Sequence, residues 1–171
     1  MMKGILDYIK LGIDTERKGI NFYTAALKKV DDDNSKRLLY FLIDEEKEHF
    51  RVFSLFLKDL TKDFPEEKKK TALSFKSFKL KSPLFDKKAY KAISGRNKQT
   101  IDIFNTALYM EKEGMSLYTA MQKKTKDRDI LAFLKKLVKD EERHYELINA
   151  HREALHNYIY WDGMEQPRIE S

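Results

Sequence analysis

The chain has 171 residues, of which 36% are charged and 42% hydrophobic, with six Gly, three Pro and no Cys. This length suits one domain with a sizeable core, and so few turn-forming residues argue against a many-stranded β fold. The absence of Cys excludes a disulfide framework, a thiolate-bound metal and a thiol nucleophile. Of the net charge of +6, residues 62–98 carry +8, so the rest of the chain is slightly acidic at −2.

The first part of the chain, about 3–60, contains two predicted amphipathic helices. Their apolar residues recur at alternating three- and four-residue steps, which is the helical period. The stripes consist of Ile5, Ile9, Ile13, Ile20, Tyr23 and Leu27 in the first helix, and of Leu39, Leu42, Phe53, Phe56 and Leu60 in the second. The capping-rich sequence at 31–35 separates the two helices. So short a connection predicts an antiparallel helical hairpin.

The segment of about 61–97 has a different composition. It contains Pro65, Pro83 and Gly95 and most of the excess lysines. We predict a long crossover with one short helix around 86–93. Its positive charge can contact the phosphates of a nucleic acid, but interleaved aromatic residues such as Phe75 favour a segment that packs on the rest of the protein. Nucleic acid is therefore the less favoured partner.

Two more amphipathic helices are predicted at about 98–158, followed by a tail at 159–171. Their stripes consist of Ile101, Phe104, Leu108, Met115 and Tyr118, and then of Ile130, Leu134, Leu137, Ile148 and Leu155. The short connection ends at Asp127, a predicted N-cap. We therefore expect one all-α domain over 1–171, a four-helix bundle of two helical hairpins joined by a long crossover.

Ionisable residues interrupt every one of these apolar stripes. They are Glu16, Glu46, His49, Glu111, Glu141 and His144. A shift of 95 residues takes Glu16 to Glu111, Glu46 to Glu141 and His49 to His144, so each half has a Glu followed thirty positions later by Glu-x-x-His. The chain is therefore interpreted as a duplicated hairpin whose six ionisable side chains face one core.

Four carboxylates in a bundle core require a compensating charge. Without one, burying each ion costs of the order of several kcal/mol, or the carboxylates must hold protons. Two divalent cations balance four negative charges, and a Glu and a His three residues apart lie on one helix face and can bind one ion. Oxygen-rich ligands with one nitrogen per metal suit iron or manganese, with zinc as an alternative. The interpretation without metal is a polar layer of Glu–His and Glu–Tyr hydrogen bonds, which the duplication disfavours.

These residues resemble the ligand set of the ferritin-like di-iron proteins. The resemblance is carried by Glu16, Glu111 and the two Glu-x-x-His motifs at 46–49 and 141–144. The Glu-x-x-Gly-x-x-x-Tyr pattern of the first and third helices is most similar to rubrerythrin-like proteins. The resemblance covers about four-fifths of the chain, all but the crossover and the tail. It implies a ferritin-like four-helix bundle with two iron ions.

The resemblance also implies a role for each of the six residues, which would be both the metal ligands and the catalytic residues. Glu46 and Glu141 would bridge the two metals. Glu16 and Glu111 would be terminal ligands. The two histidines, His49 and His144, would each bind one metal.

Further residues are candidates for supporting roles. Glu45 and Asp140, each just before a bridging Glu, match acids that orient a ligand His in related proteins; simple surface exposure is the alternative. Tyr23 and Tyr118, seven residues after the terminal glutamates, can hydrogen-bond to the cluster, with core packing alone as an equal alternative. His151, one heptad beyond the second ligand His, is expected to be a core histidine with its hydrogen bonds satisfied rather than part of an access channel.

The chain departs from typical rubrerythrins in two ways. They have a further Glu three residues after the terminal ligand of the third helix, where this chain has Gly114. The redox-linked exchange of iron ligands associated with that Glu is therefore not carried over. They also have a rubredoxin domain with four Cys. A chain with no Cys is expected to take electrons from an external donor, such as a separate rubredoxin-like protein.

The leading hypothesis is a di-iron oxidoreductase that reduces hydrogen peroxide or dioxygen. The alternatives are a ferroxidase for iron storage or detoxification and, in another class, a non-catalytic helical scaffold or nucleic-acid binder. The sequence shows neither a signal-peptide pattern nor a membrane-spanning apolar run, so we expect a cytoplasmic protein with no membrane partner. We also expect a homodimer, and the long crossover makes domain swapping feasible.

Overall fold

Four α-helices form the part of the chain that this computed structural model describes, residues 4–61 and 97–162. They are α1 (Ile5–Leu27), α2 (Asp33–Thr61), α3 (Asn97–Gln122) and α4 (Arg128–Asp162). The expected all-α class is confirmed, and these two ranges contain no strand. The predicted crossover, with its short helix, lies outside the described residues apart from its two ends. The last helix continues to Asp162, beyond the expected end of the hairpin near residue 158.

Acidic residues begin two of the helices. The Oδ1 atom of Asp32 accepts a hydrogen bond of 2.7 Å from the N–H of Ser35 at the start of α2. At the start of α4, Asp127 Oδ1 accepts from the N–H groups of Asp129 and Ile130 at 2.9 and 3.0 Å. Such caps satisfy N–H groups that lack a partner within the helix and complement its dipole. The prediction of Asp127 as an N-cap is confirmed.

The two hairpins pack face to face. Within each hairpin the helices lie along one another, and between hairpins α1 packs on α3 and α2 packs on α4. Tyr23 of α1 contacts Glu111 of α3, whereas the earlier Glu16 contacts the later Tyr118. The two helices are therefore antiparallel. None of the described helices is apolar enough over a sufficient length to cross a membrane.

The core consists of two apolar clusters with a polar layer between them. One cluster includes Leu42, Phe104 and Ile148, and the other includes Phe53 and Leu137. On every helix the interrupting ionisable residues lie between the parts that join each cluster. Burying each large apolar side chain contributes roughly 1.5–3 kcal/mol, so both ends of the bundle hold the polar layer in place.

The buried Gly12 of α1 lies against the core, whereas the stripe residue Leu60 does not. At Gly12 an added Cβ would lie 2.5 Å from the Phe53 ring, so only glycine allows this ring to pack against α1. Leu60, expected on the apolar stripe of α2, is 42% exposed, and that expectation was wrong. Leu60 lies one residue before the end of α2 and belongs to neither apolar cluster.

Candidate metal centre

The six ionisable residues of the stripes form one buried layer at mid-height of the bundle. Their exposed fractions lie between 0 and 4%. Glutamates come from all four helices, while histidines come from α2 and α4. The helical period explains this placement, because Glu and His three residues apart share one face.

The ligand atoms of this layer form two overlapping groups. Within each group the atoms that could bind a metal lie within 4.8 Å of one another. The first group comprises Glu16, Glu46, His49 and Glu141, and the second comprises Glu46, Glu111, Glu141 and His144. Two of the four glutamates, Glu46 and Glu141, belong to both groups. The arrangement is therefore two adjacent candidate sites that share two carboxylates.

Both histidines direct a nitrogen without a hydrogen bond at the carboxylates. The Nδ1 atom of His49 lies 3.6 Å from an oxygen of Glu16 and 3.5 Å from one of Glu141. The Nδ1 atom of His144 lies 3.5 Å from Glu111 Oε2. These two nitrogens and Glu111 Oε2 are buried and have no hydrogen-bond partner. Buried polar atoms normally have partners, and a mixed nitrogen and oxygen donor set fits iron, manganese or zinc.

The shared and unshared glutamates differ in protonation. Burial, and then the neighbouring carboxylates, raise the pKa of Glu46 and Glu141 well above the usual range. Burial acts in the same direction on Glu16 and Glu111, but hydrogen bonds with adjacent groups outweigh it and lower the pKa of both. In the absence of a metal, the shared pair therefore binds protons more readily than Glu16 and Glu111 do.

The histidines contribute positive charge to the metal-free layer. Burial acts to lower the pKa of each, but the carboxylate oxygens that surround each ring at 3.4–3.9 Å act more strongly in the opposite direction. The pKa of His144 rises to about 10, and the pKa of His49 rises well above 6.5. Protons thus take the place of the cations that four buried carboxylates require.

Asp140 lies behind one of the histidines. Its Oδ2 atom is 3.4 Å from Nε2 of His49, and it also pairs with Lys136. Burial acts to raise the pKa of Asp140, but contacts with His49 and Lys136 lower it to about 2. The carboxylate is buried and ionised, and it faces the His nitrogen that points away from the glutamates.

Glu45 occupies the equivalent place behind the other histidine. Its Oε2 atom lies 3.8 Å from Nε2 of His144 and pairs with Arg143. Burial acts to raise the pKa of Glu45, but His144 and Arg143 lower it overall. Each supporting acid therefore contacts the histidine of the other hairpin.

The sequence analysis did not identify Lys136 and Arg143, the basic residues that pair with these two acids. Lys136 is at the i−4 position to Asp140, a usable signal, whereas the Arg143 pair spans two helices.

The two tyrosines bind the unshared glutamates, Glu16 and Glu111, across the bundle. Tyr23 Oη donates to Glu111 Oε1, and Tyr118 Oη donates to Glu16 Oε1. Burial and the nearby carboxylates raise the pKa of both hydroxyls well above 10. Both therefore remain protonated donors at neutral pH, and neither is there for packing alone.

His151 lies outside this layer. Its Nε2 atom is 2.8 Å from Ser35 Oγ, and its ring meets the Phe104 ring edge-on with the centroids 4.7 Å apart. Burial lowers the pKa of His151 to about 4. The expectation of a core histidine with a hydrogen-bond partner is confirmed.

A cavity of about 20 Å³ touches the carboxylates on the side of α1 and α3. The cavity is lined by the four glutamates of the buried layer and by the two tyrosines that bind Glu16 and Glu111. Its other lining residues are Thr15, Gly19, Met110 and Gly114. A Cβ at Gly19 would lie 3.3 Å from Cδ of Glu46, and one at Gly114 would lie 3.7 Å from Cδ of Glu141. The sequence analysis missed Thr15 and Met110, although the shift of 95 residues relates them.

Comparison with known proteins identifies relatives of this chain. The rubrerythrin family model matches residues 7–152. The encapsulin nanocompartment cargo protein EncC of Myxococcus xanthus (strain DK1622) is 38% identical over 45 residues, which are 26% of this chain. That match spans only 35% of the length of the curated relative.

Two solved structures share the fold at low sequence identity. A hypothetical protein from Pyrococcus furiosus aligns over 91% of this chain and 92% of its own, with a TM-score of 0.69 and 17% identity. A two-domain protein of Anabaena variabilis ATCC 29413, with DJ-1/ThiJ/PfpI-like and ferritin-like domains, aligns over 98% of this chain and 40% of its own, with a TM-score of 0.64 and 14% identity. These neighbours establish the ferritin-like four-helix bundle. Since the family model spans most of the sequence and the fold agrees with it, the chain belongs to the rubrerythrin family.

Proposed function

We propose that this chain is a di-iron oxidoreductase that reduces hydrogen peroxide or dioxygen with electrons from a separate donor protein. The observation that carries the proposal is the pair of overlapping ligand groups that share Glu46 and Glu141. Membership of the rubrerythrin family supports the same reaction class.

The overlap gives each residue a role in holding two metal ions. Glu46 and Glu141 would be ligands of both ions, since they alone belong to both groups. Glu16 and His49 would complete the ligands of one ion, and Glu111 and His144 would complete those of the second. Two ferrous ions held there would supply the two electrons that, with two protons, reduce one hydrogen peroxide to two waters.

The protein side chains around the ions orient the ligands and set their protonation. Asp140 faces Nε2 of His49, which keeps the proton on that nitrogen and leaves Nδ1 with its lone pair towards the metal. Tyr23 and Tyr118 hold the terminal carboxylates by donating to one oxygen each. The two apolar clusters above and below exclude bulk water. The loaded cluster would be neutral, because two divalent ions balance four carboxylates once the protons of the shared glutamates and of both histidines have left.

The decisive experiment combines metal analysis with a reaction. Protein from iron-replete cells should contain about two iron ions per chain, and the reduced protein should consume hydrogen peroxide repeatedly when a rubredoxin-like donor and a reductant are supplied. The variant Asp44→Ala, at an exposed position of α2, is the control and should behave as the wild type. No bound metal, or bound iron that both hydrogen peroxide and dioxygen leave ferrous, would overturn the proposal.

A ferroxidase is the second candidate from the same site. It would oxidise added ferrous iron well beyond two ions per chain without any donor. The oxidoreductase instead stops after one turnover when the donor is withheld. Titration of ferrous iron into the aerobic protein without donor separates the two functions.

A further inference from the structure

Two positions form the exposed rim of the cavity beside the carboxylates. Among its ten lining residues, Thr15 and Met110 are half-buried, while the four glutamates, the two tyrosines and the two glycines are buried. Thr15 lies on α1 and Met110 on α3. The rim of the cavity is therefore the gap between these two helices.

The cavity repeats the duplication of the chain. Every lining residue has its partner in the lining 95 positions away, and the pairs are identical in type except at the rim. There a small Thr15 faces the larger, flexible Met110. Gly19 and Gly114 form the matched pair beneath the rim, and both bring the helix backbone close to a shared glutamate. The missing side chains of these glycines leave the space that the cavity occupies.

The size and position of the cavity indicate what it can hold. Neither His49 nor His144 lines it, so it approaches the cluster from the side opposite the histidines. Its volume of about 20 Å³ exceeds the roughly 10–15 Å³ that one water-sized molecule needs. Carboxylates and tyrosine hydroxyls supply polar partners around that space.

We propose that the gap between Thr15 and Met110 is the access route by which one small oxidant reaches the carboxylate cluster, and that Met110 limits the size of the molecule that passes. The inference rests on the proposed function, because it names how the substrate of that reaction arrives. Hydrogen peroxide and dioxygen are both small enough for the cavity.

Because the chain has no Cys, a single engineered thiol allows a reversible block of the gap. Met110→Cys is modified with a benzyl methanethiosulfonate, and azide binding to the oxidised, iron-loaded protein is followed by its charge-transfer absorption. We expect the adduct to slow azide binding at least about tenfold with the iron content unchanged, and a phosphine that removes the adduct to restore the rate. Tyr109→Cys, at a neighbouring residue that is 64% exposed and does not line the cavity, is the matched control and should show no effect. Unchanged azide binding after complete modification of Met110→Cys would overturn the access route.

A second experiment tests the route without metal. A thiol placed in the cavity by Gly114→Cys is treated with methyl methanethiosulfonate in the metal-free protein; its Cβ meets neighbours only at ordinary contact distances of 3.6 Å or more. Adding Met110→Trp should slow the reaction at least about tenfold, whereas adding Tyr109→Trp should not. Equal rates in both double variants, or a folded Gly114→Cys protein whose thiol never reacts, contradict the inference.

The two experiments separate the inference from the proposed function. If the protein binds no iron but Met110→Trp still protects the cavity thiol, the proposed function fails and the access route stands. If the loaded protein reduces peroxide but neither block has an effect, only the access route fails.

Discussion

Tyr23 on α1 donates its hydrogen bond to Glu111 on α3, not to the glutamate of its own helix. The reciprocal bond runs from Tyr118 to Glu16. The supporting acids follow the same rule, since Asp140 contacts the histidine of the first hairpin. Each hairpin thus supplies side chains that contact candidate ligands of the other hairpin.

Replacing Tyr23 by Phe removes one donor and leaves a buried carboxylate oxygen of Glu111 without its partner. We expect Tyr23→Phe to lower the free energy of unfolding of the metal-free protein by about 1–3 kcal/mol, measured by urea denaturation followed by circular dichroism. The equivalent variant Tyr118→Phe should have a similar effect. A loss below about 0.5 kcal/mol in both would show that these bonds do not stabilise the bundle.

The number of bound ions distinguishes a shared ligand from an unshared one. Glu46→Ala removes a residue of both groups and should abolish binding of both ions, while Glu16→Ala removes a residue of one group only. Elemental analysis should therefore find close to no metal in the first variant and about one ion per chain in the second. Glu141→Ala should behave as Glu46→Ala, and all three should remain helical. Equal stoichiometries for Glu16→Ala and Glu46→Ala would contradict the assignment of bridging.

The stability of the metal-free protein should fall as the pH rises. The pKa of His144 is raised from 6.5 to about 10 in the folded chain. Its contribution is therefore fully present below pH 6.5 and is lost as the pH rises towards 10. The raised pKa of Glu46 and that of Glu141 act in the same direction. Melting temperatures of the metal-free protein should decline over this range, whereas metal, which displaces these protons, should remove the decline.

A histidine variant isolates the part of this effect that belongs to one residue. His144→Gln should show a shallower decline between pH 6.5 and 10 than the wild type. His156→Gln, at an exposed position of α4, is the control and should follow the wild-type curve. Parallel curves for His144→Gln and the wild type would show that the histidine is not protonated in the folded protein.

The acid behind His49 should affect the affinity for metal without being a ligand. Asp140→Asn keeps the size of the side chain but removes the charge that faces Nε2. Loss of such a supporting acid typically weakens metal binding about 10- to 100-fold, and cobalt titration against a competing chelator measures it. Asp44→Asn is the matched control at an exposed site. An affinity equal to that of the wild type would assign Asp140 to the pairing with Lys136 alone.

Much of the fold and the candidate site follows from periodicity. The interrupted stripes and the shift of 95 residues were enough to group Glu16, Glu111 and both Glu-x-x-His motifs, because helical spacing determines which residues share a face. Periodicity does not reveal which side chains on different helices form hydrogen bonds with each other. Tyr23 lies seven residues after Glu16, which is about 10 Å along the helix axis, so its hydroxyl must find a carboxylate on another helix. Which helix that is depends on how the hairpins face each other.

The two residues at the rim of the cavity could not be predicted from the sequence for a related reason. Thr15 and Met110 precede the terminal glutamates by one residue and differ from each other in type, so neither forms a recognisable pair. Their common role arises only when α1 and α3 lie side by side with glycines beneath them. A search for equivalent positions of unlike type would have drawn attention to them.

The division of the core into two apolar clusters determines how the hairpins can slide along each other. A shift of one helical turn, about 5.4 Å, would bring Leu42 or Leu137 level with carboxylates and would expose the glutamates to the aliphatic side chains of a cluster. Such a slip loses apolar contacts at both ends and leaves buried charges without their partners at the centre. The polar layer therefore fixes the register of the bundle before any ion is bound, and a metal would bind to a register that the chain has already selected.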